Sequence, residues 1–426
     1  MIQENALKRI TNFYLTSHDF NGIPVWSLRE DLNISELELV KILINLITDN
    51  KISVVFGNIC TNPHIKSFPD LEPQKQIEKI KQEGLQQDCI YPSKLMIEQA
   101  TNVEEYNDRP FTRRLLLGAG QLEPVFFDLG VLERYFSDPR YSFEFYDFWG
   151  KACIASKFYD STDIDKKDKI GLQTFGLGYD ENRVRVVIVF LRYLNDLSPE
   201  HQQFWSTCIV SRKCKMVDYY YNSSFLAQFP EHISIYSAFL EEQVVINDLA
   251  SLIGKPPFFK NTYKENHLKE FSFFLRPTLK NYNSFVHLLD KLISENINKD
   301  FFKGVIQLEE RIDRGNGEFE IRQKNTLSLL EEWLSTIIVY PNESAKQQEI
   351  LEFISPLKEV RKLRQKPAHL INEDSYDGKY DNLQRELIHK AYGSIRMIRL
   401  LFAKHPKAKA YDKISTLLLE GKIRNY

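Results

Sequence analysis

The sequence predicts an α+β protein of several domains, with antiparallel strands in its middle and helices in its last third. Three observations predict this. A chain of 426 residues exceeds one ordinary core, and its 43% hydrophobic and 27% charged content suits a globular protein. Between residues 141 and 194, two pairs of runs alternate aromatic and polar residues across short turns. After residue 268, apolar residues recur at spacings of three and four.

Composition narrows the setting. The first residues, MIQENALKRI, hold no apolar run of the secretory kind, and the densest run, Val186–Leu191, is far short of a membrane span. The cysteines Cys60, Cys89, Cys153, Cys208 and Cys214 are odd in number and scattered, as expected of reduced thiols in a cytoplasm. A net charge of −2 conceals an asymmetry: residues 357–426 hold sixteen Lys or Arg against eight Asp or Glu. A basic end on an acidic body suits contact with a polyanion such as nucleic acid, or a solvated helix face.

Residues 1–70 read as three helices and a hairpin. NALKRITNFYLTS is amphipathic, and VWSLREDLNI follows the turn Asn21-Gly22-Ile23-Pro24. Ser35 and Glu38 form a capping box, and Leu39, Leu43, Leu46 and Ile47 share the next helix face. KISVVF reads as a strand, Gly57-Asn58 as a turn, and a second strand is expected near His64–Phe68. This stretch resembles a winged helix-turn-helix domain. Its third helix carries Glu36, Glu38 and Asp49 against Lys41, a face that phosphates repel, which favours a protein partner over DNA.

Residues 71–88, LEPQKQIEKIKQEGLQQD, are expected to be a charged helix or linker between domains. Residues 89–265 are expected to form an α+β domain. YSFEFYDF and KACIASKF flank Trp149-Gly150 as one hairpin, and KIGLQTFGLGY and RVRVVIVFLRYL flank Asp180-Glu181-Asn182 as another. Val186–Leu191, apolar on both faces, should lie centrally. Ser198 and Pro199 start a helix, 235–253 form another, and Lys255-Pro256-Pro257 marks a boundary. Residues 266–426 are expected to form an all-α bundle with breaks at Gly315-Asn316-Gly317 and Pro341-Asn342. Its stripes are Phe285/Leu288/Leu289/Leu292/Ile293, Leu327/Leu330/Leu334/Ile337 and Leu383/Leu387/Ala391/Ile395/Ile398/Phe402.

No Walker loop, nucleophile elbow or Cys-x2-Cys pair is present. Cys208, Cys214 and His201 make a poor zinc set, and no metal or cofactor is assigned. His201 in PEHQQFW reads as a cap or packed ring rather than a base, and Arg140 as an ion-pair partner in a turn. The remaining chemistry lies in RKLRQKPAH, residues 361–369. Arg361 and Arg364 share a helix face; Arg364 and His369 diverge on an unbroken helix, but Pro367 breaks it and can bring them to one mouth. Lys358, Arg361, Lys362, Arg364 and Lys366 form a positive collar offset by Glu359.

A helical bundle carrying Arg364-Gln365-Lys366-Pro367-Ala368-His369, an Arg-x4-His pattern, resembles the HEPN superfamily. The resemblance covers roughly residues 270–405. It implies a metal-independent endoribonuclease of bacterial defence or toxin systems, with RNA as substrate and a homodimer formed through the C-terminal bundle. Arg364 and His369 are then catalytic: His369 exchanges protons with the ribose 2′-OH and the leaving 5′-oxygen, and Arg364 steadies the phosphate. Arg361, Lys362, Gln365 and Lys366 would bind nucleic acid, while Glu309, Glu331 and Glu332 are unranked acids for orienting the imidazole. The alternative is a non-catalytic adaptor, with an inactive HEPN-like bundle binding nucleic acid and the N-terminal part binding protein. The sequence leaves open which of the two the chain is.

Overall fold

The structure, a computed structural model, describes residues 2–18, 20–57, 71–146, 148–229, 231–263, 268–315, 318–339, 342–365 and 373–424. The chain divides into two compact units, Met1–Phe229 and Pro230–Tyr426. It is mixed α/β, with several antiparallel sheets and a mostly helical second unit.

The first unit opens with α1 (Ile2–Thr16), β1 (Ile23–Pro24), α2 (Val25–Leu32), α3 (Glu36–Thr48) and β2 (Ile52–Val55). The Ser35 capping box forms: Glu38 N–H donates to Ser35 Oγ at 3.3 Å, and Ser35 N–H donates to Glu38 Oε2 at 3.0 Å. Leu39, Leu43, Leu46 and Ile47 are buried on α3 as their spacing predicts. The second strand expected near His64–Phe68 lies outside the described residues.

The stretch 71–88, expected to lie between domains, is instead part of this core. It holds α4 (Pro73–Glu83), whose Ile77 and Ile80, three apart, pack with Leu43, Ile47 and Val54. Gln76 accepts from Val54 N–H at 2.9 Å and donates to the Leu71 carbonyl at 2.6 Å. β3 (Cys89–Pro92) then pairs antiparallel with both β1 and β2, Ile90 facing Ile23 on one side and Val54 on the other. A domain boundary at residue 89 would cut this three-stranded sheet. Further on, α5 (Lys94–Ala100) and α6 (Pro110–Leu116) follow, and the Tyr14 hydroxyl, 2.9 and 3.0 Å from the carbonyls of Leu115 and Leu116, ties α1 to α6.

A six-stranded antiparallel sheet fills the rest of the first unit. Its strands are β4 (Pro124–Asp128), β5 (Tyr141–Tyr146), β6 (Trp149–Ile154), β7 (Gly171–Asp180), β8 (Arg185–Phe190) and β9 (Cys214–Met216). The order is β4-β8-β7-β6-β5, with β9 also on β7. Both hairpins form as their alternation predicts, and β8, apolar on both faces, is buried between β4 and β7. Short helices connect and cover the strands: α7 (Glu133–Ser137), α8 (Ser156–Tyr159), α9 (Leu191–Asn195), α10 (Pro199–Thr207) and α11 (Asp218–Leu226). Gly176 is a packing residue: a Cβ there would collide with the Tyr220 ring.

In the second unit β10 (Ile233–Ser234) leads into α12 (Ile235–Leu252), so the boundary falls at 229/230 and not at 265/266. α12 packs into this unit through its buried apolar residues, and its Glu242 is salt-bridged to a late helix of the same unit. α13 (Leu279–Asp290) runs into one π-helical turn, Lys291–Glu295. The second unit is not all-α. Where the Gly315 region was expected to join helices, β11 (Glu309–Gly315) and β12 (Glu318–Gln323) form an antiparallel hairpin. Three helices follow: α14 (Thr326–Ile337), α15 (Glu343–Gln365) and α16 (Lys379–Ala403). A last turn, α17 (Thr416–Leu419), precedes β13 (Ile423–Arg424), which pairs parallel with β10. The three predicted stripes are buried except at Leu288, Ile337 and Leu383. Phe258, Phe301, Trp333 and Phe402 form an aromatic core with centroids 5.0 to 6.4 Å apart. Among the described residues, no helix is long and apolar enough to cross a membrane.

Candidate functional site

Residues 361–365 of the basic stretch singled out by the sequence form the last turn of α15. Arg361 is half-buried, Lys362 and Gln365 are exposed, and Arg364 is one-third exposed at its side chain. Lys366 and His369 lie outside the described residues.

Arg364 faces the end of α13. Its Nη1 donates to Asp290 Oδ2 at 2.6 Å and also to a Glu295 carboxylate oxygen. Asp290 is fully buried and additionally accepts from the Ser294 hydroxyl. The π turn places these groups, because widening the helix by one residue turns Asp290 and Glu295 towards the same guanidinium. Carbonyls of that turn are tied by side chains from elsewhere in the unit. Gln243 Nε2 donates to Leu292 O at 2.7 Å, Thr326 Oγ1 to Ser294 O at 2.5 Å, and Lys260 Nζ to Glu295 O at 2.7 Å. The turn is therefore held rather than frayed.

Hydrogen bonding to Asp290, and then to Glu295, raises the Arg364 pKa above its ordinary value, so the group is always charged. With Nη1 engaged, the N–H groups on Nε and Nη2 have no partner among the described residues. These three donors form the edge of the guanidinium that a planar oxyanion could take bidentately.

The collar is less positive than its sequence suggests. Lys358 Nζ donates to Glu331 at 2.7 Å, and Arg364 meets two carboxylates. Glu359, the expected offset, pairs with Lys390 at 3.4 Å instead. Among the described residues of the collar, Arg361 and Lys362 make no ion pair. The three acids weighed for orienting the histidine are engaged elsewhere. Glu309 accepts from Gln323 at 2.6 Å, Glu331 from Lys358, and Glu332 from Lys324 at 2.7 Å. The acids beside Arg364, Asp290 and Glu295, were not singled out from the sequence. The available signal was an aspartate set within the buried apolar run of LLDKLI.

The other chemically tempting group is a packed ring. His201 is fully buried on α10, and its Nδ1 lies 2.7 Å from the Tyr135 hydroxyl, which accepts from Trp205 Nε1 at 2.8 Å. Among the described residues its Nε2 has no hydrogen-bond partner; Asp168 Oδ1 stands 3.6 Å away. Burial, and next the nearby Arg134, push the His201 pKa down to about 4, against the opposing pull of Asp168 and Glu200. The folded pKa lies below the unfolded one, so the contribution to stability is full above pH 6.5 and is lost as pH falls towards 4. The loss should reach about 3 kcal/mol. Urea unfolding of the wild type and of His201→Phe across pH 7 to 4 checks this: the variant's curve should lack that component. Parallel curves would show that His201 does not contribute it.

Among the described residues no cluster of three or more His, Cys, Asp or Glu is arranged to hold a metal ion. No protein-family model, curated protein or solved structure matches the chain.

Proposed function

We propose that the second unit is a metal-independent endoribonuclease of the HEPN type, acting as a homodimer through the C-terminal bundle in a defence or toxin setting. In this reading the N-terminal helices and three-stranded sheet are a winged-helix-like module that regulates it. The observation that carries the reading is Arg364: anchored by a buried aspartate through one nitrogen, with its other donor edge unengaged at a partly exposed position. An arginine held this way loses little entropy on binding a phosphate. In the reaction, His369 takes the proton of the ribose 2′-OH as that oxygen bonds to phosphorus. The P–O5′ bond breaks, an imidazolium returns a proton to the leaving oxygen, and Arg364 stabilises the charge on the non-bridging oxygens. Arg361, Lys362, Gln365 and Lys366 would hold flanking phosphates.

The outward face of α3 supports a protein partner for the N-terminal module. Leu37 is three-quarters exposed there, beside Glu36 and Glu38.

A second reading, a non-catalytic adaptor, is favoured by the neutralisation of the collar: two carboxylates meet Arg364 and a third meets Lys358. RNA cleavage by the wild type, Arg364→Ala and His369→Ala in EDTA separates them. A metal-free activity lost in both variants supports the nuclease. Intact RNA with every protein, together with unchanged cellular toxicity in both variants, supports the adaptor.

A further inference from the structure

Among the described residues the hairpin β11–β12 joins no larger sheet. It is two-stranded, all its residues except Ile312 are exposed, and Ile321 is 70% exposed. An isolated two-stranded hairpin is marginal in water, and an open strand edge is a template for another strand. Cross-strand contacts hold it together. Arg311 lies over the Phe319 ring, 3.4 Å from the centroid, and Arg314 Nε donates to Glu320 at 2.8 Å.

The charges along β11 read Glu310, Arg311, Ile312, Asp313, Arg314. Reversed about Ile312, this order meets its own complement. We propose that two copies of the chain pair antiparallel through β11 about a two-fold axis at Ile312, forming a four-stranded sheet. Ile312 then faces Ile312 of the second copy and Arg311 faces its Asp313, an ion pair that occurs twice by symmetry, while Arg314, at the register shift before Gly315, stays with Glu320.

The backbone has the right parity. Lys324 N–H donates to Leu308 O at 2.9 Å, and alternation from there points Ile312 at β12 and turns the N–H and C=O of Arg311 and Asp313 outward. These are the residues that must exchange main-chain bonds in this register. Other registers fail on charge. Centring on Arg311 sets Arg311 against itself and Glu309 against Asp313; centring on Asp313 sets Asp313 against itself. A parallel in-register pairing stacks every like charge. Reversal about Ile321 on the free edge of β12 also sets Glu320 against Arg322 and Glu318 against Lys324, but Glu320 is already held by Arg314 and Lys324 by Glu332, whereas neither Arg311 nor Asp313 makes an ion pair among the described residues.

This inference refines the homodimer of the preceding section to a strand edge, and it does not depend on RNA cleavage. Sedimentation equilibrium of the full-length chain at micromolar concentrations tests it. The wild type should dimerise, and R311E or D313R should each raise the dissociation constant about tenfold or more, because like charges then face each other twice. An equimolar mixture of R311E and D313R should dimerise again, since Glu and Asp on one copy meet two Arg on the other. Under mild oxidation Ile312→Cys should give a disulfide-linked dimer, whereas Ile321→Cys and the wild type should not. A wild type that stays monomeric, or a dimer indifferent to both charge variants, overturns the proposal. The second result would put the dimer contact elsewhere on the chain. Recovery of the dimer in the equimolar mixture also shows that R311E, which loses the stacking on Phe319, keeps the hairpin.

Discussion

Arg364→Ala should lower the stability of the second unit by about 3 kcal/mol, and adding Asp290→Asn should return most of that loss without returning RNA cleavage. The reasoning starts from burial. Asp290 has almost no exposed side-chain surface, and Arg364 is the cation that meets it. Removing the guanidinium strands a carboxylate whose remaining side-chain donor is the Ser294 hydroxyl. Asparagine at 290 removes the charge and can still accept from that hydroxyl. Cleavage behaves differently if Arg364 stabilises the phosphorane: the single and the double variant should both fall at least about 100-fold in rate. Arg364→Lys retains charge but loses the planar edge, so it should fold close to the wild type and still cleave poorly. Urea unfolding and a single-turnover cleavage assay on the four proteins check both halves. A double variant that regains stability and activity together would show that Arg364 acts only by holding α15 against α13.

How much of this was legible in the sequence depends on the range of the interaction. Ser35 and Glu38 are three residues apart, and the cap they form can be read directly. The alternation in YSFEFYDF and the doubly apolar VVIVFL likewise report strands through their immediate neighbours. The segment 71–88 misled because its charges outnumber its two apolar docking residues; Ile77 and Ile80, with the buried Gln76 bonded to Val54, dock α4 into the core. The hairpin at 309–323 carried a local signal, since Phe319 and Ile321 alternate with Glu318, Glu320 and Arg322 after Gly315-Asn316-Gly317, but the helical periods on either side favour reading it as a break between helices. Asp290 and Glu295 stand 74 and 69 residues from Arg364, and no local pattern specifies that meeting. The same distance problem hid the pairing that binds α12 to α16.

That pairing sets the largest expected loss. Glu242 is fully buried on α12, and Arg399, 4% exposed on α16, donates to it from Nε at 2.7 Å and from Nη2 at 3.3 Å. The Tyr392 hydroxyl adds a third bond at 3.3 Å. Arg399→Ala should cost about 3–5 kcal/mol at pH 7, since it leaves a carboxylate in an apolar helix interface. Its pH dependence identifies the cause. Burial already holds the Glu242 carboxyl above its ordinary range, with Arg399 pulling the other way. For a carboxyl raised on folding, the folded state binds the proton more tightly, so stability falls as pH rises from the unfolded value upward. Without Arg399 the carboxyl rises further, and protonation relieves the stranded charge. The cost of Arg399→Ala should therefore shrink as the pH is lowered from 7 to 5. Glu242→Gln with Arg399→Met removes both charges and should recover part of the loss at pH 7, whereas Tyr392→Phe should cost only about 1 kcal/mol. Urea unfolding with hydrogen exchange of α12 and α16 measures each. A cost of Arg399→Ala that does not change between pH 7 and 5 would assign it to lost side-chain packing, not to a stranded charge.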